Sequence, residues 1–81
     1  MRLMINVQLK NGVLDPQGKA VHNALLALKF NGIQDVRIGK QIILELDETD
    51  KEKARSRAIE MCEELLCNTV IEDYTIEFFE C

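Results

Sequence analysis

The spacing of apolar residues changes repeatedly along this chain, and that change constrains the fold more than any other feature. Residues 3–9 alternate between apolar and polar side chains, which predicts a half-buried strand that ends at the turn glycine Gly12. A spacing of three to four residues follows, with Val21, Leu25 and Leu28 on one side of a predicted helix. The chain is therefore expected to begin with a strand and a helix.

This first helix has a sequence signal at each end. Asp15 can accept hydrogen bonds from the free amides of the first turn, and Pro16 suits the first helical position, where no N–H is needed. Asn31 and Gly32 predict its end, because glycine readily adopts the left-handed conformation of a C-terminal cap. Gly18 lies inside the first turn, where it costs about 1 kcal/mol relative to alanine. A close approach of another backbone would explain that glycine.

Residues 35–46 alternate again, with apolar side chains at every even position except Lys40. Two structures fit this pattern: one long strand, kinked or bulged at Gly39, or a hairpin that turns at Gly39 and Lys40. The hairpin would place Val36 on the opposite face of the sheet from Ile42. We therefore expect the long strand, which keeps the apolar residues on one face.

The rest of the chain predicts a second helix and a last strand. Thr49 and Glu52 form a capping-box signature at the start of the helix. An amphipathic stripe follows at helical spacing: Ala54, Ala58, Met61, Cys62 and Leu65. Residues 74–79 then alternate as a strand. We expect a single α+β domain over residues 1–81, a two-layer sandwich in the order β-α-β-α-β with two helices on one face of a small sheet, or β-α-β-β-α-β if the chain turns at Gly39.

The two halves of the chain carry opposite charge. The formal net charge is −4, but residues 1–44 carry six basic and two acidic side chains, and residues 45–81 carry four and twelve. The acidic half would repel polyphosphate, so we expect no nucleic-acid partner. Three glutamates lie near the end of the second helix, where the helix dipole disfavours them: Glu60, Glu63 and Glu64. They fit either a tolerated surface pattern or an acidic docking patch, extended by Glu72 and Asp73.

The sequence contains no recognisable catalytic pattern. There is no CxxC pair, no glycine-rich phosphate loop and no serine–histidine–aspartate arrangement, and His22 is the only histidine. Cys62 and Cys67 would lie about 140° apart around a helix, too far to hold one metal ion, and Cys81 adds no ligand spacing. The amides at Asp15 could receive an anion, but its own carboxylate suits them better. We expect no catalytic residue, metal or cofactor on this chain, and a module that acts by binding.

Chain length sets a further limit. No apolar run approaches the roughly 18 residues of a membrane helix, and the polar residues near the N-terminus do not fit a secretory signal, so we expect a cytoplasmic protein without a membrane partner. A compact monomer of 81 residues would bury roughly 8,500 Å², of which about 60% is apolar. Burial of that apolar area contributes about 125 kcal/mol, against about 120 kcal/mol for ordering the chain. This small difference predicts self-association.

Four segments resemble the PurS family, the small subunit of phosphoribosylformylglycinamidine (FGAM) synthase. They are residues 13–21, 36–40, 64–68 and 70–74. Their order and spacing match the family over nearly the whole chain, so the four together are more specific than any one of them. Thr69 departs from the pattern, since the family often has proline there, and this affects only the expected turn geometry.

The resemblance implies a non-catalytic subunit of a three-part ligase complex in de novo purine (IMP) biosynthesis. A PurQ-like glutaminase would release ammonia from glutamine, and a PurL-like synthetase would use ATP and Mg²⁺ to convert formylglycinamide ribonucleotide (FGAR) to FGAM. The small subunit would bridge these partners, assist ammonia transfer and form a homodimer or tetramer. The expected contact residues lie in the matching motifs: Asp15, Pro16, Gly18, Arg37, Gly39 and Lys40.

A second class of function shares the predicted element order. A ferredoxin-like or ACT-like regulatory module would bind a small molecule at a dimer interface. It would be favoured by a hairpin at Gly39 and Lys40 and by a closed small-molecule cavity. An RNA-binding sheet is less well supported, because the strands carry few aromatic residues on which bases could stack.

Overall fold

A three-stranded antiparallel sheet forms the centre of the computed structural model, which describes residues 1–79. The central strand β1 (Arg2–Leu9) lies between β2 (Gly39–Glu45) and β3 (Glu72–Phe79). The helices α1 (Pro16–Ala27) and α2 (Lys51–Met61) occupy the two connections. The predicted α+β class and the order β-α-β-α-β are confirmed.

The alternation in β1 produces the core of the sheet. Leu3, Ile5 and Val7 point to one face and are buried. The register places Ile42 of β2 and Ile76 of β3 on either side of Ile5. Each strand therefore contributes its alternate apolar residues to the same face, as the period of two predicts.

Helix α2 covers this apolar face with small residues. Ala54 and Ala58 are fully buried against the core residues of β1. Asp50, rather than Thr49, caps the helix, because its carboxylate accepts hydrogen bonds from the amides of Glu52 and Lys53. The start of the helix is thus one residue later than the capping-box pattern implies.

A π-turn at Cys62–Leu66 ends the second helix and changes its register. The amide of Cys67 donates to the carbonyl of Cys62 across 3.0 Å, a bond that spans five residues instead of four. The extra residue moves Leu65 out of the predicted buried stripe, so that it is 84% exposed, while Cys67 takes a buried position. The placement of Leu65 in the core was wrong for this reason.

Helix α1 departs from the expected sandwich. Only Gly18, in its first turn, is buried, and α1 makes few contacts with the sheet or with α2. The helix ends with Leu28 as its cap, followed by Lys29 at a φ of +70°, rather than at Asn31 and Gly32. The radius of gyration is 16.0 Å, whereas a compact chain of this length would have about 12 Å. The expectation that both helices cover the sheet is therefore not met by α1.

The chain does not turn at Gly39. Residues 39–45 run as one strand, so the hairpin is excluded, and Ile42 and Leu44 share a face as predicted. The strand is shorter than expected, because residues 30–38 belong to no helix or strand. We call residues 16–38, which comprise α1 and this segment, the arm.

A candidate interaction site where the arm meets the sheet

The carboxylate of Asp15 joins two separate parts of the chain. Its Oδ1 accepts a hydrogen bond of 2.9 Å from the amide of Gly18, and its Oδ2 accepts one of 2.8 Å from the amide of Ile38. Asp15 is only 7% exposed. The two amides, that of Ile38 foremost, and the nearby Arg37 lower the pKa of this carboxyl, because they favour its charged form. Asp15 therefore caps α1 and fixes it to the start of β2.

Gly18 permits this close approach. A Cβ atom at Gly18 would lie 2.2 Å from the carbonyl oxygen of Val36, far inside van der Waals contact. The explanation that another backbone approaches this glycine is confirmed. Only glycine fits between the first turn of α1 and the residues that precede β2.

Arg37 holds the turn after β1. Its guanidinium donates from Nη1 to the carbonyl of Val13 (2.9 Å) and from Nη2 to the carbonyl of Lys10 (3.1 Å). The amide of Lys10 donates a hydrogen bond to the carbonyl of Ile71, the residue directly before β3. Arg37 thus connects residues 10–13 to the segment that leads into β2.

Gly39 and Lys40 complete the arrangement at the end of β1. A Cβ atom at Gly39 would lie 2.6 Å from the carbonyl oxygen of Val7, so glycine is required there as well. Lys40 is exposed beside it and, with Glu72, lines a groove of about 300 Å³ next to Pro16. The groove is shallow and open, not the closed small-molecule cavity that the alternative function would favour.

Six of the nine predicted contact residues therefore come together in space. We call them the junction: Asp15, Pro16, Gly18, Arg37, Gly39 and Lys40. Whether they contact another protein is a separate question, since the structure gives Asp15, Gly18, Arg37 and Gly39 roles inside the chain.

The other three predicted residues form a second surface, which we call the acidic surface: Glu60, Glu63 and Glu64. All three are exposed. Glu63 accepts a hydrogen bond of 3.0 Å from the hydroxyl of Tyr74 and lines a groove of about 340 Å³ with Glu72 and Asp73. Desolvation and this bond to Glu63 raise the pKa of Tyr74. Of the three glutamates, Glu63 shares a groove with Glu72 and Asp73, as the expected extension of the acidic patch implies.

The sequence did not predict two strongly exposed apolar side chains. Within residues 1–79, Leu65 and Val70 are the most exposed large apolar side chains, at 84% and 80%. Leu65 lies directly after Glu64, inside the π-turn. No sequence signal marks the turn, because Leu65, Leu66 and Cys67 are all apolar and fit either helical register.

The two cysteines within residues 1–79 are free thiols. Cys62 and Cys67 are buried, and burial raises the pKa of both thiols. Cys81 lies outside the described residues. Within residues 1–79, no three His, Cys, Asp or Glu side chains gather to hold a metal ion. No helix in that range is long and apolar enough to cross a membrane.

The fold and the junction define a class of protein. It is a small α+β module in which glycines and a capping carboxylate fix the position of a projecting arm. Residues 2–80 match the family model described as PurS, phosphoribosylformylglycinamidine (FGAM) synthase. The chain belongs to the PurS family, as its sequence motifs predicted.

Known relatives match over almost the whole chain. The FGAM synthase subunit PurS of Bacillus subtilis is 48% identical over 79 residues, which cover 98% of this chain and 93% of the relative. A solved structure of Bacillus subtilis PurS has a TM-score of 0.86 at 48% identity and covers 98% of both chains. A chain in the structure of PurLQS from Thermotoga maritima has a TM-score of 0.86 at 37% identity, with 94% of this chain and 93% of that chain covered.

Proposed function

We propose that this chain is the small, non-catalytic subunit of an FGAM synthase, which converts FGAR to FGAM in de novo purine biosynthesis with ATP and glutamine. The observation that carries the proposal is the full-length match to PurS subunits at up to 48% identity, with a solved relative in a PurLQS assembly. We infer a cytoplasmic location, because such a complex draws on cellular ATP and glutamine. ATP and Mg²⁺ belong to the complex and not to this chain.

In this proposal the chain bridges a PurL-like synthetase and a PurQ-like glutaminase and assists the passage of ammonia. Ammonia released into water would be protonated and lost as a nucleophile, so a tight bridge that excludes water has a physical purpose. Such a bridge needs complementary surfaces more than reactive side chains. The small size of the chain and its two distinct surfaces support this role.

The two surfaces differ in charge and therefore suit different partners. The junction exposes Lys40 and lies in the basic half of the chain, whereas the acidic surface carries three carboxylates beside Leu65. An exposed leucine that directly follows two glutamates in the chain suits an apolar socket with a basic rim. We propose that the acidic surface docks one partner subunit and the junction the other.

Reconstitution tests the function. The chain is mixed with PurL-like and PurQ-like subunits, and glutamine-dependent FGAM formation is compared with the same mixture lacking the chain. The expected result is that omission abolishes glutamine-dependent formation while the synthetase still uses added ammonia. If omission changes neither assembly nor the glutamine-dependent rate, the bridging role is refuted.

Charge reversal tests the acidic surface. Glu60→Lys, Glu63→Lys and Glu64→Lys in one variant should weaken assembly at low salt, because the attraction to a basic rim becomes repulsion. A matched control reverses three other exposed carboxylates of the chain, for the same change in net charge: Asp47, Glu52 and Glu77. Equal affinity of the two variants would remove the acidic surface from the proposal.

The small-molecule alternative is not carried further. A hairpin at Gly39 and Lys40 would have favoured it, but residues 39–45 form a continuous strand.

We also propose that the chain self-associates, as a homodimer or tetramer. Its exposed apolar residues and elongated shape support this.

A further inference from the structure

We propose that Asn31 in the arm is a site of spontaneous modification, where the backbone amide of Gly32 attacks the side chain and converts the residue to isoaspartate. The inference does not rest on the proposed function. It begins with two asparagine–glycine pairs in loops, at residues 11–12 and 31–32. Glycine after asparagine favours ring closure, because it has no Cβ atom to shield its amide nitrogen and its backbone rotates freely. The structure holds the two pairs differently.

The reaction needs only water. The amide nitrogen of Gly32 attacks Cγ of Asn31 and loses its proton to solvent, so that the new bond between N and Cγ closes a cyclic imide. The bond between Cγ and Nδ2 breaks, and Nδ2 takes a proton from water and leaves as ammonia. Water then opens the imide at either carbonyl. One product is aspartate, and the other is isoaspartate, in which the main chain passes through Cβ and Cγ.

Asn11 is held in a position that opposes this attack. It lies at the centre of a closed turn, in which the amide of Val13 donates to the carbonyl of Lys10 across 3.1 Å. The guanidinium of Arg37 donates to the carbonyls of both Lys10 and Val13. Ring closure rotates ψ of Asn11 and carries the next amide out of the turn, so these three hydrogen bonds must open first.

Asn31 has none of these restraints. Asn31 and Gly32 are exposed and belong to no helix or strand. Within residues 1–79, no hydrogen bond reaches either residue, and the fixed points lie on each side of the pair. They are the amide of Phe30, which donates to a carbonyl of α1, and the carbonyl oxygen of Ile33, which lies 2.9 Å from Nε2 of His22. The amide between these points is therefore free to turn toward the side chain of Asn31.

Isoaspartate at this position changes the arm. The main chain becomes one methylene longer between Phe30 and Ile33, and a carboxylate replaces a neutral amide. Phe30 is bonded to the end of the helix, whereas Ile33 is held by the one contact with His22. We expect His22 to release Ile33, and with it the hydrogen bond that ties the middle of α1 to residues 30–38. The modification thus loosens the arm irreversibly as the protein ages.

Ageing of the unmodified full-length chain at neutral pH tests the selection between the two pairs. Trypsin cleaves after lysine and arginine, which places the pairs in separate peptides. Mass spectrometry, with a methyltransferase specific for isoaspartyl carboxylates as probe, follows each site. Each hydrogen bond that must open slows the reaction about fivefold, so Asn31 should react on the order of a hundredfold faster than Asn11. In the urea-unfolded chain the two rates should be similar, because glycine follows both residues.

Two variants test the physical cause. Arg37→Gln removes two of the three hydrogen bonds that hold Asn11, so the rate at Asn11 should rise about twentyfold while that at Asn31 stays the same. Arg57→Gln is the matched control, the same change at an exposed position of α2, and should alter neither rate. An unchanged rate at Asn11 in Arg37→Gln would overturn the protection by the turn.

The ring of His22, the only histidine, reports the consequence for the arm. A second His22 signal in the proton NMR spectrum should grow at the rate at which isoaspartate forms, because the ring loses its bond to Ile33. The proposal is overturned if Asn31 reacts no faster in the folded chain than Asn11, or no faster than Asn23 within α1. A His22 signal that stays unchanged while isoaspartate accumulates would overturn the loosening of the arm.

Discussion

The substitution Gly18→Ala tests the close approach of the arm to the start of β2. The added Cβ atom would lie 2.2 Å from the carbonyl oxygen of Val36, and ordinary contact begins at 3.4 Å, so the two backbones must separate by more than an ångström. Overpacking of this kind costs about 3 kcal/mol where no side chain can rotate away, and the better helix propensity of alanine returns about 1 kcal/mol. We expect a net loss of about 2 kcal/mol in the free energy of unfolding.

The assay is urea unfolding followed by circular dichroism at one fixed protein concentration, since association shifts the apparent stability. Asn23→Ala, on the exposed side of the same helix, is the control and should stabilise by about 0.5 kcal/mol through propensity alone. The amide of Ile38 should also exchange faster in Gly18→Ala, because its bond to Asp15 lengthens. The reasoning is refuted if Gly18→Ala is as stable as Asn23→Ala.

Three further substitutions have defined outcomes. Two amides lower the pKa of Asp15, so its carboxylate stabilises the fold at neutral pH, and this contribution is lost as pH falls through and below the ordinary value of 3.8. The variant Asp15→Asn should therefore be less stable than the unmodified chain at neutral pH, and its stability should change less with pH in acid. Lys29→Gly should raise the melting temperature, since Lys29 has a φ of +70° and glycine relieves about 1 kcal/mol, whereas Lys19→Gly inside the helix should lower it. Leu65→Ser should leave the free energy of unfolding within about 0.5 kcal/mol of its original value yet weaken assembly with the partner. Leu66 is half-buried, so Leu66→Ser should destabilise the fold. A larger loss of stability in Leu65→Ser than in Leu66→Ser would contradict the π-turn.

Local sequence signals predicted the elements whose structure depends on neighbouring residues. The alternation in residues 3–9 and 74–79 gave β1 and β3, and Asp15 with Pro16 gave the start of α1. These features depend on side-chain period and capping, which the sequence encodes within a few residues. The unfavourable glycine Gly18 inside the first helical turn also indicated that another backbone segment approaches it, although not which segment.

The remaining features depend on contacts that no short pattern specifies. The π-turn could not be predicted, because Leu65 and Leu66 suit the core equally well and tertiary packing decides between them. The amphipathic stripe of α1 showed that the helix needs an apolar surface, but not that its own sheet would fail to provide one. The junction likewise depends on Asp15 meeting Ile38 across more than twenty residues.

The accessible surface of 6112 Å² is about 1,100 Å² more than a compact monomer of this mass exposes, and this excess has a consequence for folding itself. If about 60% of the extra 1,100 Å² is apolar, its exposure forgoes about 16 kcal/mol of burial in each copy. That exceeds the difference of about 5 kcal/mol by which burial outweighs chain entropy in a compact monomer of this length. We therefore expect folding to be coupled to association.

Coupling of this kind makes the melting temperature depend on protein concentration. For a dimer of this size, each tenfold increase in concentration should raise it by about 4 °C, since the association term changes by about 1.4 kcal/mol against the unfolding entropy of both chains. Differential scanning calorimetry over a wide concentration range measures this shift. A melting temperature that stays constant with concentration would mean that the chain folds alone, and would refute the coupling of folding to association.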